Sequence, residues 1–307
     1  MTDYIFKIIT LLGGLALFLF GMDVMGKSLE RQAGGKLQTV LAKMSSNVFK
    51  GFLLGMGVTA VIQSSSATTV MVVGFVNSGI MSLKQAVGVI MGSNIGTTVT
   101  AWILSLSGLE GDSFIIKLFK PSTLAPLIAI IGIALFMFSK SERKKGIGTI
   151  CLGFMALMTG MDIMGDSMAF LKDEPWFAQL MISFSNPLLG ILFGALLTAV
   201  IQSSSASVGI LQGLCVTGAV TFGSAIPIIL GQNIGTTVTA MMGAIGANRN
   251  ARRTAMVHLL FNVVGVVIFV VVFYGLGLFI DWKFLNEPAA AWDIAVIHTL
   301  FNIAATC

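Results

Sequence analysis

Nine residues, Thr59-Ala-Val-Ile-Gln-Ser-Ser-Ser-Ala67, recur unchanged as Thr198 to Ala206, 139 positions later. The same offset carries Gly21-Met-Asp-Val-Met-Gly26 onto Gly160-Met-Asp-Ile-Met-Gly165, and Asn94-Ile-Gly-Thr-Thr-Val-Thr-Ala101 onto Asn233 to Ala240. From residue 21 to residue 101 the two copies align without a gap. A duplication on this scale constrains the fold more than any single motif, because one structural unit must serve twice and whatever its polar residues do is done twice. It divides the chain into a first repeat, 1–139, and a second, 140–307.

Each Gln-Ser-Ser-Ser run is embedded in apolar sequence. Hydrophobic residues make up 56% of the 307 and charged residues only 10%, against roughly 25% charged in soluble domains, and mean hydropathy is +0.94. That balance excludes an ordinary soluble domain and points to an all-α integral membrane protein. Apolar runs near 5–22, 85–106, 122–138, 147–165, 224–246, 254–280 and from 293 onward approach the ~20 residues that cross a ~30 Å hydrocarbon core. No basic region precedes the first run, so it reads as a membrane helix rather than a removed signal peptide. The last run stops at Cys307, short of a comfortable span, and suggests a truncated chain. Cys151, Cys215 and Cys307 lie far apart in apolar surroundings and read as buried thiols. Lys27 to Lys50 form a polar connection, expected as an amphipathic or loop segment at the membrane face.

The apolar runs flanking the first serines, Gly51–Ile62 and Ala67–Ile80, are each too short to span alone. They form either one span with a polar middle or two half-length helices folded as a re-entrant hairpin. Basic residues arbitrate. With a hairpin in both repeats, 13 of 18 fall on one side: Lys27, Arg31, Lys36, Lys43, Lys50, Lys84, Lys140, Arg143, Lys144, Lys145, Arg249, Arg252 and Arg253. Single spans divide them 11 to 7. The positive-inside rule therefore selects hairpins and makes the +5 net charge a sign of topology rather than of a nucleic-acid partner. Three full crossings then separate equivalent points, which inverts the second repeat relative to the first. Inverted repeats with interrupted helices at matching positions point to a secondary transporter with a site near the midplane.

Gln63, Ser64, Ser65, Ser66 and Gln202, Ser203, Ser204, Ser205 are the candidate site. At a helix break, hydroxyls, amide side chains and free helix-start N–H groups can hold an oxyanion, and the same oxygens can hold a hard cation. In Gly92 to Thr98 and Gly231 to Thr237, two glycines flank a polar triplet, so the helix is expected to unwind there. Asn94, Thr97, Thr98, Asn233, Thr236 and Thr237 would form a neutral oxygen cage of the kind a monovalent ion accepts. Asp23 and Asp162 could cap a neighbouring helix or lie on the ion pathway. His258-Leu-Leu-Phe-Asn262 and His298-Thr-Leu-Phe-Asn302 place His, Phe and Asn on one helical face, suited to interhelical hydrogen bonds. With no Gly-x-Ser-x-Gly elbow, metal-ligand cluster or phosphate-binding Gly-Lys-Thr loop, the chain does not read as an enzyme.

Twin Gln-Ser-Ser-Ser runs, each followed about thirty residues later by Asn-Ile-Gly-Thr-Thr, resemble the bacterial branch of the type II sodium/phosphate cotransporter family over nearly the whole chain. The resemblance implies a symporter of the cytoplasmic membrane that imports inorganic phosphate with sodium ions by alternating access. The eight Gln and Ser residues would hold substrate and sodium, and the Asn and Thr residues would support them. The sequence departs from the family in having Phe119 to Thr123 where the first His-x-x-Phe-Asn is expected. In electrogenic relatives an acidic residue shortly after the first Asn-Ile-Gly-Thr run bears on sodium stoichiometry, and Glu110 and Asp112 are nearby. The competing readings are a phosphate-binding membrane sensor without transport, an intramembrane serine hydrolase, and a carrier of another oxyanion such as sulfate or arsenate.

Overall fold

A computed structural model describes residues 2–44, 47–109 and 113–307; Glu110 and Asp112 lie outside the described residues. In chain order the α-helices are α1 (Thr2–Met44), α2 (Val48–Ile62), α3 (Ser65–Asn77), α4 (Leu83–Ser105), α5 (Phe114–Phe119), α6 (Pro121–Phe138) and α7 (Glu142–Met168). They continue with α8 (Pro175–Ser183), α9 (Pro187–Ile201), α10 (Ser204–Leu214), α11 (Phe222–Gly235), α12 (Thr237–Gly243), α13 (Arg249–Leu276) and α14 (Ala291–Thr306). Among the described residues six helices are long and apolar enough to cross a membrane, and α8 with α9 form a pair bent by 101°. This is an all-α membrane protein. The offset of 139 carries the bounds of α2 onto those of α9, and the starts of α3 and α4 onto those of α10 and α11.

The stretch expected as a polar connection after residue 27 is helical instead. α1 runs on to Met44, broken only where Gly34 leaves helical geometry at φ 58°. Its apolar part packs antiparallel along α7: the Tyr4 hydroxyl donates to Glu174, Ser28 Oγ donates to the Gly146 carbonyl at 3.0 Å, and Gln32 Nε2 to the Arg143 carbonyl at 2.7 Å. Glycines set the distance. A methyl group on Gly21 would lie 2.6 Å from the Gly153 carbonyl oxygen, and one on Gly160 would lie 2.8 Å from that of Gly14. The offset of 139 relates Gly14 to Gly153 and Gly21 to Gly160, so each repeat presents the same pair of glycines to the other.

Glycines also seat the short helices. A methyl on Gly88, Gly92 or Gly96 would strike the carbonyl oxygens of Val48, Phe52 and Met56 at 2.1, 1.9 and 2.5 Å. α2 therefore lies parallel to α4, in backbone contact with it. Because α3 ends only a few residues before α4 begins, α2 and α3 are antiparallel, a hairpin of two half-length helices. Gly231 and Gly235 seat α9 on α11 in the same way. The expected unwinding at Gly92 to Thr98 does not occur: α4 is continuous from Leu83 to Ser105, because these glycines admit a neighbouring backbone rather than a bend. In the second repeat α11 gives way to α12 at Thr236, whose backbone stays helical.

The bundle has two ends. Lys27, Arg31, Arg143 and Lys145 gather at the first, lining one cavity. The end of α4, the start of α6 and the starts of α11 and α14 meet at the second, where Ala289 N–H donates to the Val220 carbonyl at 2.8 Å. Gly21→Leu should destabilise the protein by about 3 kcal/mol or more through overpacking against α7. Gly13→Ala on the same helix, with nothing within 4 Å, should be neutral or mildly stabilising, and thermal unfolding of both purified variants checks the pair.

Candidate functional site

Gln63 ends α2 in the left-handed region (φ 58°, ψ 26°), and its N–H donates to the Thr59 carbonyl at 2.8 Å. Ser64 then starts α3, its hydroxyl accepting from Ala67 N–H at 3.1 Å. Gln202 (φ 60°, ψ 23°) and Ser203 repeat this geometry, with Ser203 accepting from Ala206 N–H at 3.2 Å. Among the described residues these glutamines are the only non-glycines at positive φ. A left-handed L-residue costs roughly 1–2 kcal/mol, and that strain is held at two equivalent points.

One cavity of about 670 Å³ collects Gln63, Ser64 and Ser66 from the first repeat with Gln202 and Ser203 from the second. Met22, Asp23, Lys27 and Glu30 of α1 also wall it, so it reaches toward the first end. Lys27 pairs with Asp23 at 2.8 Å, and both side chains are largely exposed. The two turns touch: Ser66 Oγ donates to the Gln202 carbonyl at 3.5 Å and accepts from Thr239 Oγ1 at 3.3 Å. Gln63 Nε2 donates to the Ala60 carbonyl, which leaves its buried Oε1 without a partner.

Ser65, Ser204 and Ser205 are buried away from the cavity. The second motif does not line it either. Thr97 and Thr98 donate to carbonyls of their own helix at 3.0 and 2.7 Å, Thr237 of α12 donates to the Ile234 carbonyl of α11 at 2.7 Å, and Asn233 Nδ2 donates to the Ile229 carbonyl at 2.9 Å. Asn94 bridges helices: its Nδ2 donates to Asn262 Oδ1 at 3.1 Å and its Oδ1 lies 3.4 Å from His258 Nε2. His258 and Asn262 thus make the interhelical bonds their spacing suggests. Thr236 Oγ1 is buried without a partner.

Sequence reasoning missed a cluster behind each turn. In the first repeat Thr59 Oγ1 lies 2.8 Å from Ser93 Oγ and donates to Thr68 Oγ1 at 3.0 Å, all fully or nearly fully buried. The equivalent positions are Thr198, Gln232 and Ser207. There Thr198 Oγ1, Ser207 Oγ and both polar atoms of the Gln232 side chain are buried with no hydrogen-bond partner. The signal available in the sequence was Gln232 standing where the first repeat has Ser93.

A separate cavity of about 380 Å³ opens at the second end and contains Asp162 and Gln212. Between the two, the buried Phe18 ring lies against Gly209, where a methyl would sit 2.5 Å from Phe18 Cζ and 3.1 Å from Leu104 Cδ1. On α10, Ala206 lines the first cavity, Gln212 the second, and Gly209 falls midway. The apolar layer is thus about 9 Å of helix thick.

The sequence profile of the Na+/Pi-cotransporter family matches residues 17–166 and again 168–280. The chain belongs to the Na+/Pi-cotransporter family. It is 31% identical over 297 residues to YqeW, an uncharacterized protein of Bacillus subtilis, covering 93% of this chain and 88% of that one. It is 30% identical over 256 residues to YjbB of Escherichia coli K12, named provisionally for inorganic phosphate export, covering 83% of this chain and 45% of that protein. Over 103 residues, 33% of this chain and 16% of the relative, it is 40% identical to rat sodium-dependent phosphate transport protein 2A. The chain thus spans about half the length of YjbB. No solved structure matches it.

Since glycine occupies the left-handed region without strain, Gln63→Gly and Gln202→Gly should keep or raise thermal stability by about 1 kcal/mol. Gln202→Val should lower it by a similar amount, read by thermal unfolding in detergent.

Proposed function

We propose that this chain carries inorganic phosphate across the cytoplasmic membrane, coupled to sodium, by alternating access between two inverted repeats, 1–139 and 140–307. The observation that carries the proposal is the single cavity in which Gln-Ser turns 139 residues apart come together. Inversion of the repeats is supported by the antiparallel packing of the equivalent helices α1 and α7. Family membership supports phosphate as the cargo.

The starts of α3 and α10 aim first-turn amides and the positive ends of their dipoles at the cavity, which favours an oxyanion. Ser64, Ser66 and Ser203 add hydroxyls that can turn to donate. Outside the turns, a cavity of about 990 Å³ shares Asp23 and Lys27 with the site and adds Arg31, Arg143 and Lys145 against Glu142. Its excess of cationic groups raises the local concentration of anions. Sodium has different needs. Behind the second turn, the unpartnered oxygens of Thr198, Ser207 and Gln232 are hard neutral ligands whose burial without a partner costs about 1–3 kcal/mol each, and a sodium ion would satisfy them. Sodium held there would place positive charge beside the serine turns and strengthen the hold on a dianion.

Transport in either direction requires the Phe18–Gly209 layer to open as the first-end cavity closes. Coupling and import rest on the family resemblance; the export named for YjbB makes direction a quantity to measure. The test is movement of labelled phosphate in proteoliposomes under inward and outward sodium gradients, with potassium as control. Sodium-dependent accumulation, abolished by Gln63→Ala and by Gln202→Ala in protein that still folds, is the expected result. Saturable phosphate binding without accumulation in either orientation would instead establish a sensor. Phe18→Ala should weaken coupling, seen as phosphate leak that persists without a sodium gradient.

A further inference from the structure

We propose that the second-end cavity is a cation site in its own right, taking a hard monovalent ion such as sodium, built from Asp162, Asp166 and Gln212 with the hydroxyls of Ser107 and Ser122 beside them. All five residues line the same cavity of about 380 Å³, together with Lys120. Asp162 and Asp166 stand one turn apart on α7, on the same face.

Gln212 carries the argument. It is 3% exposed, and its Nε2 donates to the Ala101 carbonyl at 3.0 Å and to the Ala291 carbonyl at 2.9 Å. Two carbonyl partners fix which end of the amide is nitrogen. The oxygen, Oε1, is consequently oriented by α4 and α14 while having no hydrogen-bond partner of its own. Although the Ser107 and Ser122 hydroxyls and Lys120 line the same cavity, none bonds this oxygen, and a cation shared with the carboxylates would satisfy it. Among the described lining residues, two carboxylates against the Lys120 ammonium leave one net negative charge, which matches a monovalent ion. Cys215 also lines the cavity, but its thiol donates to the Leu211 carbonyl at 3.4 Å, and the five residues of the site all offer oxygens, which suits a hard ion over a softer metal.

Comparison of the repeats shows that the cluster is not a by-product of the duplication. Subtracting 139 from Asp162, Asp166 and Gln212 gives Asp23, Lys27 and Val73. At the first end Asp23 is neutralised by Lys27 at 2.8 Å, and no amide stands at the third position. The second repeat has exchanged the cation for a carboxylate and the apolar side chain for an oriented amide. The carboxylate adds negative charge, and the amide offers an unpartnered oxygen while tying α10 to α4 and α14.

The site lies beyond the Phe18–Gly209 layer from the Gln-Ser turns, so it is independent of the sodium ligands proposed there. Sodium binding to the purified full chain in detergent, without phosphate, tests it: sodium-22 is titrated with choline holding ionic strength constant. The titration is run in the wild type and in the Gln63→Ala/Gln202→Ala background. A sodium site that persists in that background, and whose half-saturating concentration rises roughly tenfold or more on Asp166→Lys, is the expected result, the loss typical of removing a charged ligand. Asp166→Lys restores the ion pair of the first repeat and so should fold; Asp166→Asn, with unchanged volume, should weaken binding in the same direction. Sodium binding that vanishes in the background variant, or that is indifferent to both Asp166 substitutions, overturns the proposal. Because the readout is binding rather than transport, either outcome leaves the phosphate-site reading to its own experiment.

Discussion

The structure depends on backbone meeting backbone. Between helices in a bilayer, apolar burial supplies little net attraction, since lipid tails are as apolar as leucine, and close packing must hold the helices instead. Gly14 and Gly21 against Gly153 and Gly160 bring α1 and α7 to a distance that any side chain would prevent. The short helices need the same contact more urgently. α2 and α9 are too short to span, and their turns leave amides and carbonyls that hydrocarbon cannot satisfy. Gly88, Gly92 and Gly96, with Gly231 and Gly235 as the counterparts of the last two, hold one face of these half-helices against protein, and thereby fix the Gln-Ser turns.

On this symmetric frame the polar chemistry is asymmetric. Thr59, Thr68 and Ser93 satisfy one another, whereas Thr198, Ser207 and Gln232 do not. Ser66 reaches across to the second repeat, bonding Gln202 and Thr239, while Thr100, the counterpart of Thr239, has no partner. A duplicated unit supplies two equivalent hairpins; divergence of a few side chains then leaves the two halves with different hydrogen bonding.

The duplication, the hairpins and the residues at their turns were legible because each rests on a strong local signal: a long exact repeat, apolar runs of half length, and polar residues where a half-helix must end. What was not legible needed three dimensions. Two glycines four apart fit an unwound helix and a close crossing equally well in sequence; only Phe52 and Met56 standing against Gly92 and Gly96 decide it. Asn94 reads as an ion ligand until Asn262, 168 residues away, is found bonded to it. Ser65, Ser204 and Ser205 share a motif with Ser64 and Ser203, yet helical rotation turns them away from the cavity. The polar stretch after Lys27 continues as helix because charge alone does not break one; Gly34 does.

The thin layer at Phe18 and Gly209 has an electrical consequence. Cavities filled with water on either side would conduct far better than packed apolar side chains, so in an energised membrane most of the potential would fall across that layer, about 9 Å of α10, rather than across the full bilayer. Each charge moved between the cavities crosses most of that voltage, a difference of about 2.3 kcal/mol for every 100 mV. A displacement of under two helical turns therefore senses nearly the whole field. The steepest electrical gradient in the molecule lies where its packing carries no charge.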